Sequence, residues 1–356
     1  MANLDGRGLL ALRIASGLSA LTLLFYTFHR VDFSRVSERM AEVGLLGFCL
    51  IATPQLVSLC LECVGWSHVF SVFGRRVSAR ALLRVRVATE AVAQTLPLGV
   101  IWAESLKPLL LGRHAGVDTS DAVAAIVARK YLLMASQAAY VAMISAFGFV
   151  TLRQLSSVLF GHAELAWCAF AVSALLCLLA FGVSGAFTRG RVADRVLGAL
   201  RAIPNLHFQR TLCERQATFA STDRQTVRYF SAGIPKNTLL PGIFFLAGWL
   251  CESVESYLIL KLLGVELGFF AVASIEAMLS FAKNVAFVVP AGIGVQDVGY
   301  VSCLTALGVH DSLNVGAAFS VLKRGKELFW ATLGYLLLAS DARPNLARPR
   351  LSIDIA

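Results

Sequence analysis

The chain has 356 residues, of which 57% are apolar and 15% charged, with a mean hydropathy of +0.70 and a formal net charge of +10. Soluble domains are close to half apolar and a quarter charged, so this composition excludes an ordinary water-soluble globule. Apolar runs of about 20 residues match the thickness of a bilayer. A β-barrel would alternate apolar and polar positions in segments of about ten residues, and no such alternation occurs. The expected class is an all-α polytopic transmembrane bundle of about 7–8 spans.

The first expected helix is Leu9–Phe28. Arg7 and Arg13 give it a basic start, but its apolar run is long and no small-residue cleavage site follows, so it reads as a retained helix. The loop from His29 to Glu42 balances three arginines against three acids. Val43–Trp66 follows as the second span. It contains Cys60 and Cys63, which have no second pair and no histidine cluster nearby and read as small buried hydrophobes. The short loop GRRVSARALLRVR, 74–86, then carries five arginines and no acid.

Next comes QTLPLGVIWAESLK, 94–107, in which Pro97 and Gly99 interrupt the pattern and Glu104 follows. After GVDTSDAVAAIVARK (116–130), Leu132–Val150 and Glu164–Phe187 are expected spans. The linker 189–236 holds nine Arg or Lys against Asp194, Glu214 and Asp223. Val192, Val196, Leu197, Leu200 and Ile203 recur there at the spacing of an interfacial amphipathic helix. Thr238–Leu263 and Leu267–Val289 are the next spans. The second runs into AFVVPAGIGVQDVGY, with Pro290, Gly292, Gly294 and Asp297, and Val315–Ser340 is the last.

The charge pattern assigns sides. Basic residues favour the cytoplasmic flank, so 74–86 and 189–236 belong inside the cell, where anionic headgroups attract them. The loop 29–42 belongs outside and the N-terminus inside. Seven crossings would then leave the tail outside, although Arg343, Arg348 and Arg350 suit the cytoplasm. Because the positive charge tracks membrane flanks, nucleic acid is not an expected partner.

The two interrupted stretches match. Pro97, Gly99 and Glu104 stand in the same relation as Pro290, Gly292 and Asp297, and GVDTSDAVAAIVARK resembles GVHDSLNVGAAFSVLKR. An internal duplication is expected within a single membrane domain, 1–356, with one unit at about 9–150, the basic linker 189–236, and a second unit at about 238–340. Proline removes a backbone donor and glycine loosens a helix. Broken backbone at membrane depth survives only when buried in protein or lining a wet cavity, and repeat-built transporters form their sites from such breaks. Each Pro-Gly therefore reads as a re-entrant or half-helix element.

Charges within apolar segments mark the candidate site. Glu90, Glu104, Lys107, Arg129, Lys130, Glu252, Glu255, Glu276, Lys283, Lys323, Arg324, Lys326 and Glu327 all fall in or beside such runs. A charge at the bilayer centre costs roughly 3 kcal/mol, so these groups pair or face water. Glu104 and Lys107, and Glu252 and Glu255, sit at i,i+3, a spacing that shares a helix face. Glu104, Lys107, Arg129, Asp297, Lys323, Arg324, Glu327, Glu252 and Glu255 are the expected cavity residues, and Glu104 and Asp297 are expected to face one shared cavity. No cofactor is expected. Gly292 and Gly294 match only the first two glycines of a dinucleotide loop, and the six histidines are dispersed.

PLGVIWAESLK and PAGIGVQDVGY, with VLKRGKELFW after them, resemble the lysylphosphatidylglycerol synthase transmembrane region. That flippase-like family has P-x-x-G-E-x-x-R at the first break and P-G-G-[LI]-G-V-x-E at the second. Ala103 and Lys107 stand where the family has Gly and Arg, Ala291 where it has Gly, and Asp297 where it has Glu. The resemblance implies a multi-pass lipid-handling protein of the inner or plasma membrane. Aminoacylating members carry a separate soluble domain that this chain has no room for. Translocation of a phospholipid, hopanoid or other amphiphile is then the expected function. A membrane enzyme acting on lipid or polyprenyl-linked headgroups, or a structural partner of lipid-synthesis enzymes, are the alternatives. No G-x-S-x-G or H-E-x-x-H motif supports the enzyme.

Overall fold

The computed structural model describes residues 29, 31–96, 98–162, 164–190, 195, 198, 216–231, 234–285 and 294–342. Among them it forms 11 helices and no strand. These are α1 (Phe33–Val72), α2 (Ala79–Thr95), α3 (Gly99–Ala115), α4 (Thr119–Phe147), α5 (Phe149–Phe160) and α6 (Leu165–Thr188). They continue with α7 (Gln216–Ser231), α8 (Ile234–Leu262), α9 (Phe269–Val285), α10 (Val295–Ala306) and α11 (Ser312–Ala342).

Local chemistry sets the ends. The Asp32 carboxylate accepts from the Ser34 and Arg35 amides and so caps α1. Ser78 caps α2 by accepting from the Ala81 amide. Gly44, at φ 60° and ψ −175°, kinks α1 between its charged first turns and its apolar body. At Gly148 the chain turns by 84° from α4 into α5. A Cβ there would lie 1.9 Å from Ser274 Oγ, so only glycine lets α4 come this close to α9.

Among the described residues, three helices are long and apolar enough to cross a membrane: α1, α6 and the Thr238–Leu262 part of α8. The bent pair α4–α5 makes a fourth if it is one span. The expected segments Val43–Trp66, Glu164–Phe187 and Thr238–Leu263 fall on these helices, whereas Leu132–Val150 is split by the bend at Gly148. Val315–Ser340 lies within α11, whose 31 residues span roughly 46 Å. Lys323, Arg324, Lys326 and Glu327 in its middle distinguish it from an ordinary apolar span. Leu267–Val289 is represented by the 17-residue α9 as far as Val285. The expected first helix, Pro97, Pro290, Gly292, the tail beyond Ala342 and nearly all of 192–203 lie outside the described residues.

At the first interruption α2 stops at Thr95, Leu98 adopts φ 56°, and α3 starts at Gly99. A Cβ on Gly99 would stand 2.5 Å from the carbonyl oxygens of both Val92 and Ala93. Glycine therefore permits the chain to double back, and α2 and α3 pack against each other. Both of their outer ends meet Asp341 at the end of α11. Arg84 Nη2 bonds its carboxylate at 2.5 Å, His114 Nε2 at 2.8 Å, and Arg113 its carbonyl at 3.1 Å. Helices α9 and α10 likewise pack together across residues 286–293. Arg39 bonds both the Leu263 carbonyl and Asp311, which joins the end of α8 to the α10–α11 turn at the start of α1.

Helices α1 and α8 form the central pair. Gly65 and Gly248 let them approach, since a Cβ on either would sit 3.3 Å from Phe245 and Ser58 respectively. Helix α11 runs beside α2, and α4 is flanked by α6, α7 and α8. The basic linker contains a docked helix, α7. Phe230 stacks on Phe187 and Tyr229 on Phe73, burying both rings among the ends of α1, α4 and α6.

Candidate functional site

Among the described residues, the charged side chains inside the bundle form two ion-pair networks. In the first, Glu62 of α1 accepts from Arg86 Nε of α2 at 2.9 Å and from Arg129 Nη2 of α4 at 2.5 Å. Arg86 also bonds Glu90 one turn on, and Glu90 accepts from Gln94 at 2.9 Å. The Arg129 guanidinium lies 5.4 Å from the Trp66 ring centroid and 5.9 Å from that of Phe245. Aromatic faces stabilise a cation that water does not reach. On α3 the i,i+3 spacing brings Lys107 Nζ to 2.7 Å from Glu104, and packing against α4 adds Lys130 at 2.6 Å.

The second network uses α8, α9, α10 and α11. Lys323 lies 3.0 and 3.2 Å from the two Glu276 oxygens, with Ser256 donating to Glu276 at 2.7 Å. Lys326 reaches both oxygens of Glu255 at 2.8 and 2.9 Å, and Gln55 of α1 at 3.3 Å. Arg324 bonds Glu327 at 2.6 Å and Asp297 at 3.3 Å. Asp297 also accepts from the Gly294 amide at 2.8 Å and so caps α10.

Between the networks lies a polar cavity in two adjoining parts, of about 130 and 280 Å³. Glu62, Arg86, Trp249 and Glu252 line both. The smaller part continues past Glu255, Glu276, Lys323, Lys326 and Glu327, and the larger past Lys130 and Gln137 of α4. Three buried polar atoms of wall residues have no hydrogen-bond partner among the described residues: the donor Nε1 of Trp249 and the acceptors Oε1 of Gln94 and Gln296.

The expected residues divide unevenly around this cavity. Glu252, Glu255, Lys323 and Glu327 line it, and Arg324 reaches it through Glu327. Arg129 meets it through Glu62. Glu104 with Lys107 stands behind Lys130, while Asp297 belongs to the α10 cap and Arg324. Glu104 and Asp297 share no partner, and neither is a wall residue. Glu276 pairs with Lys323.

Sequence reading passed over Glu62, Trp249 and Gln296, and placed Arg86 in a surface loop. Glu62 carried a signal like that of Glu252, a carboxylate within an apolar run, here LVSLCLECVGW. Arg86 lies two turns inside α2, although it shares the segment 74–86 with four other arginines. Of these, Arg75 bonds Asp121 at 2.9 Å and also Asp118. The hydrogen bond to Asp121 is the main reason its guanidinium is held above the ordinary arginine range. Arg84 is committed to Asp341, which leaves Arg76 and Arg80 exposed at this end.

Water is absent from a bilayer core, so buried charges there are met by one another or by a cargo. Paired acids and bases around an open volume can bind a charged headgroup by exchanging partners. Comparison with family models matches residues 9–333 to the lysylphosphatidylglycerol synthase TM region. A search of curated proteins finds no match. The family match covers most of the chain and agrees with its apolar helices, so the protein belongs to the lysylphosphatidylglycerol synthase TM region family, membrane proteins of lipid handling.

Proposed function

We propose that the protein moves a phospholipid, hopanoid or other amphiphile between leaflets, its headgroup passing through the charged cavity. One observation carries this reading: two adjoining cavities lined by acidic and basic side chains, with Glu62, Arg86, Trp249 and Glu252 common to both, lie inside a bundle whose outer face is apolar. Leu45, Leu46, Val150 and Phe181 are among the large apolar side chains exposed on that outer face. A path for tails is also present. Leu133, Met134 and Gln137 of α4 face the cavity, whereas Leu132, Ala135 and Ala139 line an apolar groove with Leu239 and Ile243 of α8. The α4–α8 seam alone divides polar cavity from groove.

The same reading takes the bundle as two repeat units, with α1–α4 equivalent to α8–α11. In its support, α2–α3 and α9–α10 each pack as a hairpin across an interruption. Left-handed glycines recur at Gly74 and Gly264, and at Gly116 and Gly308. Helix α11 packs on α2 as α4 packs on α9. Each hairpin enters and leaves at one end, and α1, α4, α6, α8 and α11 cross fully. The Asp341 contacts favour placing the end of α11 beside segment 74–86, in the cytoplasm, which removes the conflict over the tail.

The test is movement in vesicles. Purified protein in liposomes carrying acyl-labelled fluorescent phospholipids should let external dithionite bleach more than the outer leaflet's share. Glu252→Gln should reduce the rate at unchanged reconstitution. Bleaching no greater than in protein-free liposomes, across zwitterionic, anionic and cationic lipids, refutes the reading.

A further inference from the structure

The ion pairs described above engage the acidic and basic residues of the cavity wall, and Glu252 is engaged as well. Such pairs admit a charge by exchanging partners, which costs a pair; a neutral polar group costs none. What the wall leaves open is neutral. Its buried atoms without a hydrogen-bond partner among the described residues are one donor, Trp249 Nε1, and two acceptors, Gln94 Oε1 and Gln296 Oε1.

These three residues border the same part of the cavity and come from three helices, α2, α8 and α10. Their surroundings hold them. Gln94 donates from Nε2 to the Glu90 carboxylate at 2.9 Å. A carboxylate only accepts, so this bond fixes which end of the amide is left over. The Trp249 indole stacks on Tyr140, with ring centroids 6.1 Å apart. Gln296 is 3% exposed and precedes Asp297, which caps α10. A buried polar atom left unmet is uncommon in a folded protein. One donor and two acceptors around one volume therefore specify a ligand that both donates and accepts. That volume, about 130 Å³, is close to the roughly 150 Å³ that takes a single benzene ring.

We infer that this part of the cavity selects a headgroup with a hydroxyl-rich ring, a sugar or cyclic polyol. Its hydroxyls donate to Gln94 Oε1 and Gln296 Oε1 and accept from Trp249 Nε1. The inference rests on the cavity being the headgroup site, as proposed above, and names the class of headgroup. An ammonium donates but does not accept, and a phosphate accepts but does not donate. A hydroxyl does both through one atom, and it leaves every ion pair in place.

Binding separates this claim from translocation. Full-length protein in detergent is titrated with three dihexanoyl lipids that share tails. Phosphatidylinositol and phosphatidylethanol carry the same phosphate charge, and glucosyl-diacylglycerol carries none. Thermal shift gives the affinities. Both ring-bearing lipids should bind at least about tenfold more tightly than phosphatidylethanol, because a site built to hydrogen-bond a hydroxyl rejects the analogue that lacks it. Trp249→Phe and Gln296→Met each remove an open atom and keep most of the side chain's bulk. Each should weaken both ring-bearing lipids by about fivefold and leave phosphatidylethanol unchanged. Without lipid, Gln296→Met should melt no lower than the parent, since the atom it removes has no partner. Water filling the cavity would also meet these atoms, and it predicts equal affinity for the three lipids. That result, no binding of any, or variants that weaken all three alike overturns the assignment. Selective binding without movement in vesicles keeps the headgroup assignment and refutes translocation alone.

Discussion

Replacing Lys326 with methionine tests whether the buried pairs hold the bundle or merely decorate it. Lys326 is 4% exposed and Glu255 2%. The ammonium contacts both carboxylate oxygens at 2.8 and 2.9 Å and ties α11 to α8, with Gln55 of α1 as a third contact. Methionine keeps the length of the stem and removes the charge. Glu255, itself buried, is then left without its cation, and breaking a buried pair in this way costs about 3–5 kcal/mol. Domains of 150–250 residues lose roughly 2–4 °C per kcal/mol and longer chains less, so a fall in Tm of about 5–10 °C is expected. Glu255→Leu with Lys326→Met removes both charges and should recover most of that loss, because a well-packed apolar pair is often as stable as the ion pair it replaces. The assay is thermal unfolding of purified protein in one detergent, followed by tryptophan fluorescence. A single variant within 1 °C of the parent, or a double variant worse than the single one, refutes the view that this pair is mutually dependent.

Two further outcomes are expected. Gly99→Ala should destabilise the α2–α3 hairpin by about 1–3 kcal/mol, since its Cβ meets two backbone carbonyls that cannot rotate away. Gly182→Ala in α6, where a Cβ has open space, should be neutral or stabilising by up to about 1 kcal/mol; equal thermal shifts for the two would refute the hairpin geometry. For sidedness, Arg80→Cys and Phe33→Cys are compared in a cysteine-free background with an impermeant maleimide added to intact cells. Phe33→Cys should react and Arg80→Cys should not, and the opposite result reverses the proposed orientation.

Much of the architecture was legible because hydropathy and periodicity are local signals. Glu164–Phe187 became α6 almost residue for residue. The Glu104–Lys107 pair followed from helix spacing alone. What could not be read was which helix each charge would meet. Lys326 and Glu255 are 71 residues apart and Arg129 and Glu62 are 67 apart, so no periodicity links them. The α4–α5 bend was hidden because Gly148 lies in an apolar run, and its cause is a neighbour, Ser274, distant in sequence. Helix α7 was read as linker because its arginines concealed the two aromatic rings that dock it. Arg86 misled for the opposite reason: it is one of a basic run, yet its helix turns it inward.

The contacts of Asp341 carry a consequence for biosynthesis. Arg84 precedes it by 257 residues and His114 by 227. At 5–20 residues per second a ribosome needs roughly 11–45 s to cover the 227 positions from His114 to Asp341. Throughout that interval the first hairpin is already synthesised and its basic end lacks the carboxylate that later closes it. Assembly of the first hairpin is therefore completed by nearly the last residue of the final helix, and a chain stopped before Asp341 would insert its spans while leaving that end open.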